Sequence, residues 1–391
     1  MIPFGSSCKG PNFIPGSTSV AITLERLHPS PVNPSEMAAL VPRKRRREMV
    51  MISLVSLMKF SFRIKFMRRS RITPVVPDRF VFVALLTCVM VMTSLSSSCV
   101  GERGAVGRTP GSPLFDGSLA MAHVETQVGF GPRIPGTDGH EAQLSWMLAL
   151  MKQHAAEVVV DTFTHLTASG DSLRLTNLLG RFAPEHSRRI VILAHWDTRP
   201  ISDQAPDSAD QSVPVPGAND GGSGTAVLLA LAPLLAAEWP PLGIDILLVD
   251  GEDYGPGVED MLLGARHYAS NVSEEDRPVY GLLLDMVGDV EPSFPMEQIS
   301  AQFANPIVKK VWRAAERLGY QDYFPTSVGP PITDDHVPLI ENGIPTANVI
   351  DFTYGPNNEY WHTPEDTPDK LSAGTLGMVG QVVVELIYSG G

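Results

Sequence analysis

Short apolar runs alternate with helix-patterned segments along residues 115–391. Runs rich in Ile, Leu and Val indicate buried strands, and apolar residues spaced three and four apart indicate amphipathic helices. We predict strands at 157–166, 173–182, 190–194, 244–249, 279–284 and 346–350, and helices at 115–128, 140–153, 222–237, 259–270, 306–318 and 372–388. The pattern predicts a single-domain α/β fold with a mixed, mostly parallel central sheet flanked by helices, in which the first two strands form an antiparallel hairpin at one edge.

The first hundred residues have no such pattern. Residues 1–66 contain scattered Pro and Ser and a basic run, and we expect a disordered segment or an over-long start, with Met67 as the true first residue. Residues 67–99 have a basic front, an apolar stretch and a small-residue end, which is the layout of a secretory signal peptide. Cys99 after small residues resembles a bacterial lipoprotein processing site. We therefore expect export to the periplasm or a lipid anchor on the membrane, with residues 100–114 as a linker.

Charge and cysteine content narrow the chemistry of the remaining chain. Residues 1–99 carry 14 basic and 4 acidic side chains, which leaves 16 and 39 for residues 100–391, a net charge of −23. Such an acidic domain excludes nucleic acid as a partner. The three cysteines, Cys8, Cys88 and Cys99, precede this domain. A metal site within it must therefore use imidazole and carboxylate ligands.

Polar residues with that chemistry follow several predicted strands or begin a predicted helix. The carboxyl ends of parallel strands meet at one edge of a sheet, where open α/β proteins place their active sites. We expect these side chains to converge there on zinc, the metal that imidazole and carboxylate without sulfur fit best. They are His195, Asp197, Asp220, Glu252, Asp253, Asp285 and, late in the chain, His362.

Each of these signals is weak alone. Glu252-Asp253 could be an ordinary acidic loop, and the glycine-rich loop at 216–224 a plain turn or a phosphate loop, although the G-K-[ST] ending of a phosphate loop is missing. The acidic stretch with Asp203, Asp207 and Asp210 is interpreted as a solvated loop.

The order of these residues, with Gly131-Pro-Arg-Ile-Pro-Gly136 and His362-Thr-Pro-Glu-Asp366, resembles the M28 zinc aminopeptidase superfamily from about residue 115 to the end. Within it, Thr333-Asp-Asp-His-Val-Pro338 and the Trp361 before His362 most resemble the glutaminyl-peptide cyclotransferases of animals and bacteria. The resemblance implies conversion of N-terminal glutamine to pyroglutamate with release of ammonia, on peptide or protein N-termini. We expect a monomer.

The resemblance also implies roles for individual residues. One zinc ion is held by Asp220, Asp253 and His362. Glu252 is the proton shuttle, Asp285 and Asp334 are its supporting carboxylates, and Trp361 binds substrate. Asp197 is expected to orient the imidazole of His195.

Two other functions remain open. A di-zinc M28 aminopeptidase would place His195 and Asp285 on one metal and Asp253 and His362 on the other, with Asp220 bridging them. A catalytically inactive peptide-binding module is the third class. The sequence also departs from the cyclases: Ala194 replaces a cysteine, Asn348 replaces a histidine, and Tyr254-Gly-Pro-Gly257 stands where a second tryptophan is expected.

Overall fold

A computed structural model describes residues 107–391. Their centre is a six-stranded sheet in the order β1-β2-β4-β3-β5-β6. The strands are β1 (Glu157–Leu166), β2 (Ser172–Phe182), β3 (Arg189–His195), β4 (Gly243–Val249), β5 (Gly281–Asp285) and β6 (Thr346–Ile350). β1 pairs with β2, and β2 with β4, in antiparallel fashion, whereas β4, β3, β5 and β6 run parallel. The predicted fold class is confirmed, with the hairpin at one edge.

Helices cover both faces of this sheet. They are α1 (Gly117–Gly129), α2 (Asp138–His154), α3 (Gly222–Ala237), α4 (Leu263–Asn271), α5 (Gln298–Phe303), α6 (Asn305–Arg317), α7 (His336–Glu341) and α8 (Ala373–Tyr388). The six-residue helices α5 and α7 are too short for a helical period to stand out in the sequence. The prediction that a helix begins at 259 is wrong, because Val258–Asp260 form a 3-10 turn and Leu262, at a φ of 59°, interrupts the backbone before α4.

Burial on both faces explains why the parallel strands are continuously apolar. Every residue of β3, β4 and β5 is buried. In β3, Ile190 and Ile192 pack into the larger core, which includes most of α3 and α8, while Val191 and Leu193 pack into a smaller core with Ala265 of α4. A strand between two helical layers has no solvent-facing side, so the alternation of polar and apolar residues disappears.

Residues 107–114, the described part of the predicted linker, contact the C-terminal helix. Thr109 donates hydrogen bonds to Glu385 from its backbone nitrogen (2.9 Å) and its hydroxyl (2.7 Å). The side chain of Gln381 donates to the carbonyl of Pro113. The predicted segments 1–66 and 67–99 lie outside the described residues. Within residues 107–391, no helix combines the length and the apolar character needed to cross a membrane.

Candidate active site

The predicted chemical residues gather at the carboxyl ends of the central strands. His195 is the last residue of β3 and Asp285 the last of β5. Glu252 and Asp253 follow β4 after a turn at Gly251, whose φ of 72° suits glycine. Parallel strands thus deliver an imidazole and three carboxylates to one edge of the sheet.

A buried arginine and a buried aspartate shape the loop that presents Asp220. Arg133, from the Gly131–Gly136 motif, donates to the carbonyls of Pro216 and Gly217. Asp366 accepts hydrogen bonds from the backbone nitrogens of Asn219 (2.8 Å) and Asp220 (3.2 Å). Both sequence motifs therefore fix the backbone that carries a candidate ligand.

Asp220, Asp253 and His362 come together although they are distant in sequence. Each offers a ligand atom that lies within 4.8 Å of the other two, and all three side chains are buried. Nε2 of His362 lies 3.4 Å from Asp220 Oδ2 and 3.4 Å from Asp253 Oδ1. The fold thus brings together three residues that the family resemblance groups as one ligand set.

A second trio shares Asp220 with the first. His195, Asp220 and Asp285 also offer ligand atoms within 4.8 Å of one another. Nε2 of His195 lies 3.1 Å from Asp220 Oδ1 and 3.2 Å from Asp285 Oδ1. The chain therefore contains two groups of residues that could each hold a metal ion, and the two groups share Asp220.

The electrostatics of these trios fit a divalent cation. Burial raises the pKa of Asp253 to about 6 and that of Asp285 to about 7, with further repulsion from neighbouring carboxylates. Burial alone would lower the pKa of His362, but Asp253, Asp203 and Asp220 outweigh it and raise the pKa to about 10. The cluster has a strong affinity for positive charge, whether protons or a metal ion. Its oxygen and nitrogen donors without sulfur match zinc.

Glu252 lies beside the ligands but belongs to neither trio. Its side chain is buried, with Oε2 4.0 Å from Nδ1 of His195. Burial, together with the charges of Asp253, Asp335 and Asp334, raises its pKa well above the usual range. A carboxylate that holds a proton this readily is suited to general acid–base chemistry.

Asp197 fixes Glu252 and Asp253 in place by accepting hydrogen bonds from their backbone. Its two carboxylate oxygens accept hydrogen bonds from the backbone nitrogens of Glu252 and Asp253, each at 3.0 Å. Nδ1 of His195 lies 3.6 Å from Asp197, which is beyond hydrogen-bond length. Asp197 thus lies close to His195, but its hydrogen bonds position Glu252 and Asp253.

The Asp334-Asp335-His336 segment lies at the N-terminus of α7, which starts at His336. Asp334 Oδ2 accepts a hydrogen bond of 2.7 Å from the side-chain amide of Asn348. Asparagine therefore supplies the donor at the position where the sequence comparison expects a histidine. Both Asp334 and Asp335 are buried, and their negative charges act on Glu252.

Aromatic side chains form one wall of the site. The ring of Trp361 stacks on His362 with a centroid distance of 3.9 Å and meets Phe352 edge-on at 5.0 Å. Tyr254 instead packs against the apolar cluster of Leu173, Leu175 and Leu263. Trp361 is thus in direct contact with a candidate ligand, and Phe352 packs against Trp361.

Comparison with known proteins identifies the family. Residues 177–387 match peptidase family M28. The chain belongs to this family. Aminopeptidase YwaD of Bacillus subtilis is 31% identical over 257 residues, covering 61% of this chain and 48% of its own. The chain thus spans about half the length of that relative. The glutaminyl-peptide cyclotransferase of Bos taurus is 25% identical over 290 residues, covering 64% of this chain and 76% of its own.

Solved structures of M28-like enzymes extend the similarity. Glutaminyl cyclase of Bacteroides thetaiotaomicron superposes with a TM-score of 0.69 and 36% identity, covering 72% of this chain and all of that one (100%). A Zn-dependent exopeptidase from Parabacteroides distasonis gives a TM-score of 0.68 and 38% identity, covering 71% and 99%. The predicted family and fold are confirmed, and the relatives support zinc as the metal.

The fold also forms side-chain pairs that the sequence analysis does not predict. Asp203, interpreted as part of a solvated loop, accepts from Nδ1 of His362 at 3.0 Å, so that interpretation is wrong for this residue. Arg199 donates to both Asp203 (2.7 Å) and Asp253 (2.6 Å). His140 contacts both oxygens of buried Asp250 at 3.0 Å. Sequence spacing cannot reveal the pairs of His362 with Asp203, Arg199 with Asp253 and His140 with Asp250, because each joins segments that only the folded chain brings together.

Proposed function

We propose that this M28 enzyme is a glutaminyl-peptide cyclotransferase that converts N-terminal glutamine of peptides into pyroglutamate and releases ammonia. The observation that carries the proposal is the Trp361 ring stacked on His362 at 3.9 Å, together with the carboxylates of Asp334 and Asp335 acting on Glu252, which is buried beside the Asp220–Asp253–His362 trio but outside it. The raised pKa of Glu252 suits a group that takes up a proton and returns it. The similarity to bacterial and animal glutaminyl cyclases supports the same reaction.

The reaction needs orientation and one proton transfer. The α-amine of the substrate attacks its own γ-carboxamide carbon, so a new C–N bond closes the ring while the bond to the side-chain nitrogen breaks. Glu252 accepts the proton of the amine and delivers it to the departing nitrogen, which leaves as ammonia. Asp220, Asp253 and His362 would hold zinc, which when bound would supply Lewis-acid chemistry towards the γ-carboxamide. Trp361 holds the glutamine side chain folded, which supplies part of the rate because the reaction is intramolecular.

Neighbouring carboxylates raise the pKa of Glu252 and so help it to hold a proton. The charges of Asp334 and Asp335 raise its pKa, and the amide of Asn348 holds Asp334 in place. Asp285 contacts His195, and this pairing offsets part of the negative charge that the carboxylates bring to the same end of the sheet. These neighbours allow Glu252 to act as a base towards the substrate amine and then as an acid.

Di-metal aminopeptidase activity is the second candidate, favoured by one observation. The His195–Asp220–Asp285 trio supplies a complete second ligand set. In that reaction Glu252 would take a proton from the attacking water instead of from the substrate amine. Names such as aminopeptidase YwaD and Zn-dependent exopeptidase among the relatives are consistent with it.

A two-peptide assay separates the two functions. The purified protein, loaded with zinc, is incubated with a Gln-initiated and with a Leu-initiated peptide of otherwise identical sequence. We expect ammonia and a mass loss of one NH₃ from the first peptide, with no shortening of either. Free leucine from the second peptide, without ammonia from the first, would overturn the cyclase proposal in favour of the aminopeptidase.

We also propose that Met67 is the true start, that residues 67–99 export the protein, and that Cys99 receives a lipid anchor. The basic front, apolar stretch and small-residue end of this segment support the proposal. Mass spectrometry of the protein from its native envelope is expected to show an N-terminal lipidated Cys99. An unmodified N-terminus elsewhere would contradict it. We expect the exported domain to elute as a monomer in size-exclusion chromatography with light scattering.

A further inference from the structure

We infer that Arg199 and Asp203 are positioning residues that hold the Asp220–Asp253–His362 trio ready for zinc. The inference rests on the proposed function and deepens it by naming two residues that preorganise its metal site. It concerns metal affinity, so it can be tested without substrate.

Asp203 fixes the side chain of His362. Its Oδ1 accepts from Nδ1 at 3.0 Å, while Nε2 faces Asp220 and Asp253. A carboxylate on the far nitrogen selects the tautomer that leaves Nε2 free to bind a metal, fixes the ring orientation and raises the basicity of the imidazole.

The same loop fixes the backbone of His362. The backbone nitrogen of Gln204 donates to the His362 carbonyl at 3.3 Å. His362 has a φ of 54°, a left-handed conformation that is unfavourable for a residue with a side chain. Such a conformation persists when surrounding contacts specify it. The contacts from residues 203 and 204 therefore restrain both the ring and the main chain of this ligand.

Arg199 couples the two halves of the trio. Its buried guanidinium donates through Nη1 to Asp253 (2.6 Å) and through Nη2 to Asp203 (2.7 Å). One planar group therefore sets the spacing between a ligand carboxylate and the carboxylate behind a ligand imidazole. Lysine could not reproduce this, because its ammonium lacks the fixed fork of an arginine.

The second trio has no matching support in the described part of the chain. Nδ1 of His195 is buried and makes no hydrogen bond there. The nearby Asp197 lies 3.6 Å away and instead binds the backbone of Glu252 and Asp253. The ligand imidazole of this trio is thus less constrained than His362. The loss of a carboxylate behind a ligand imidazole typically costs about 10- to 100-fold in metal affinity, which sets the size of the effect expected for Asp203.

Zinc affinity, measured by competition with a chromophoric chelator on the metal-free protein, tests this assignment. We expect the wild type to bind the first zinc equivalent tightly. In Asp203→Asn and Arg199→Lys the first equivalent should bind about 10- to 100-fold more weakly, with Asp203→Glu restoring part of the loss. Asp207→Asn, at an exposed site in the same loop, is the matched control and should bind as the wild type does.

Cobalt substitution gives a readout that a purely structural role would not change. We expect the visible spectrum of the first cobalt equivalent to change in Asp203→Asn and not in Asp207→Asn, because His362 loses its orientation. Folding is checked by thermal unfolding in excess zinc. If folded Asp203→Asn and Arg199→Lys proteins bind the first equivalent within about twofold of wild type and keep its cobalt spectrum, the inference is wrong. Absence of cyclase activity in the wild type would contradict the proposed function but leave this measurement intact.

Discussion

At the scale of single residues, the site combines two kinds of buried carboxylate. Asp220 and Asp253 face His362 and offer oxygens to a cation. Glu252 faces neighbouring acids, and its raised pKa makes it a proton carrier. Adjacent residues at a strand end can differ in this way because their side chains leave the backbone in different directions. The environment, rather than the residue type, assigns each acid its task.

Glu252→Gln separates these two tasks. Glutamine keeps the shape of the side chain but cannot take up and return a proton, so we expect kcat for the Gln-initiated peptide to fall by about 10²- to 10⁴-fold. Zinc content should stay unchanged, because Glu252 is not one of the trio. Glu259→Gln, in the exposed part of the following loop, is the control for steady-state kinetics and metal analysis. Turnover by Glu252→Gln near the wild-type rate would remove Glu252 from the mechanism.

At the scale of elements, polar residues near the strand ends link the sheet to its helices. Asp250 directly follows β4, accepts from the backbone nitrogen of Thr176 in β2 at 2.7 Å, and contacts His140 in α2. Glu297 caps α5 by accepting from the backbone nitrogens of Ile299 (2.7 Å) and Ser300 (2.6 Å). These contacts fix helices against the edge of the sheet where the site lies.

His140→Ala should loosen α2 from the sheet. The substitution leaves Asp250 buried with only part of its hydrogen bonding, and breaking a buried pair typically costs about 3–5 kcal/mol. Trp196 also loses the ring that stacks on it at 4.2 Å. Urea denaturation measures the free energy of unfolding, with Lys152→Ala, exposed on the same helix, as the control. A loss below about 1 kcal/mol, the range of surface pairs, would show that the pair contributes little.

The pH dependence of the stability of Glu297→Gln tests how Glu297 anchors the Asp334-Asp335-His336 segment. Oε2 of Glu297 lies 3.1 Å from Nε2 of His336, and Oε1 accepts from the backbone nitrogen of Ile332 at 3.0 Å. Burial alone would raise the pKa of Glu297, but the close contact with His336 and the hydrogen bonds from three backbone nitrogens outweigh it and lower the pKa from its usual 4.5 to about 2.

A lowered pKa means that ionised Glu297 stabilises the fold above pH 4.5 and that this contribution is lost as the pH falls towards 2. We expect Glu297→Gln to reduce the free energy of unfolding by about 3 kcal/mol at pH 7. The difference from wild type should shrink steadily between about pH 4.5 and 2. Urea denaturation at several pH values measures it. A difference that is constant with pH would contradict the role of the ionised carboxylate.

At the scale of the whole molecule, the sequence predicts the parts that regular periodicity controls. Continuous apolar runs predict the parallel strands, and strand ends that share one edge predict that polar side chains gather there. The grouping of Asp220, Asp253 and His362 as one ligand set came from the family resemblance. The loop with Asp203 was not predictable in this way, because its acidic, aperiodic sequence resembles any solvated loop. Its role depends on Arg199 and on a contact with a residue 159 positions away along the chain. Helices α5 and α7 were missed because their positions depend on Glu297 more than on an apolar stripe.

Zinc should stabilise the whole domain, and more so at higher pH. Burial raises the pKa of Asp253 to about 6 and that of Asp285 to about 7. An acid with a raised pKa in the folded protein keeps a proton that the unfolded chain has released, so the free energy of unfolding of the chelator-treated protein falls as the pH rises from about 4 to 7. Zinc binds in place of these protons. Competition from protons is weakest at high pH, so zinc stabilises the folded domain most there.

We therefore expect a zinc concentration of 100 times the Kd at pH 7.5 to add about 3 kcal/mol to the free energy of unfolding at that pH. The same zinc concentration should add less at pH 5.5. Differential scanning calorimetry of the chelated and reloaded protein measures both values. Asp220→Asn is the control, because Asp220 belongs to both trios and its loss should remove the zinc response altogether. An equal shift in Tm at the two pH values, or an undiminished shift in Asp220→Asn, would mean that the buried acids at the strand ends do not form the metal site.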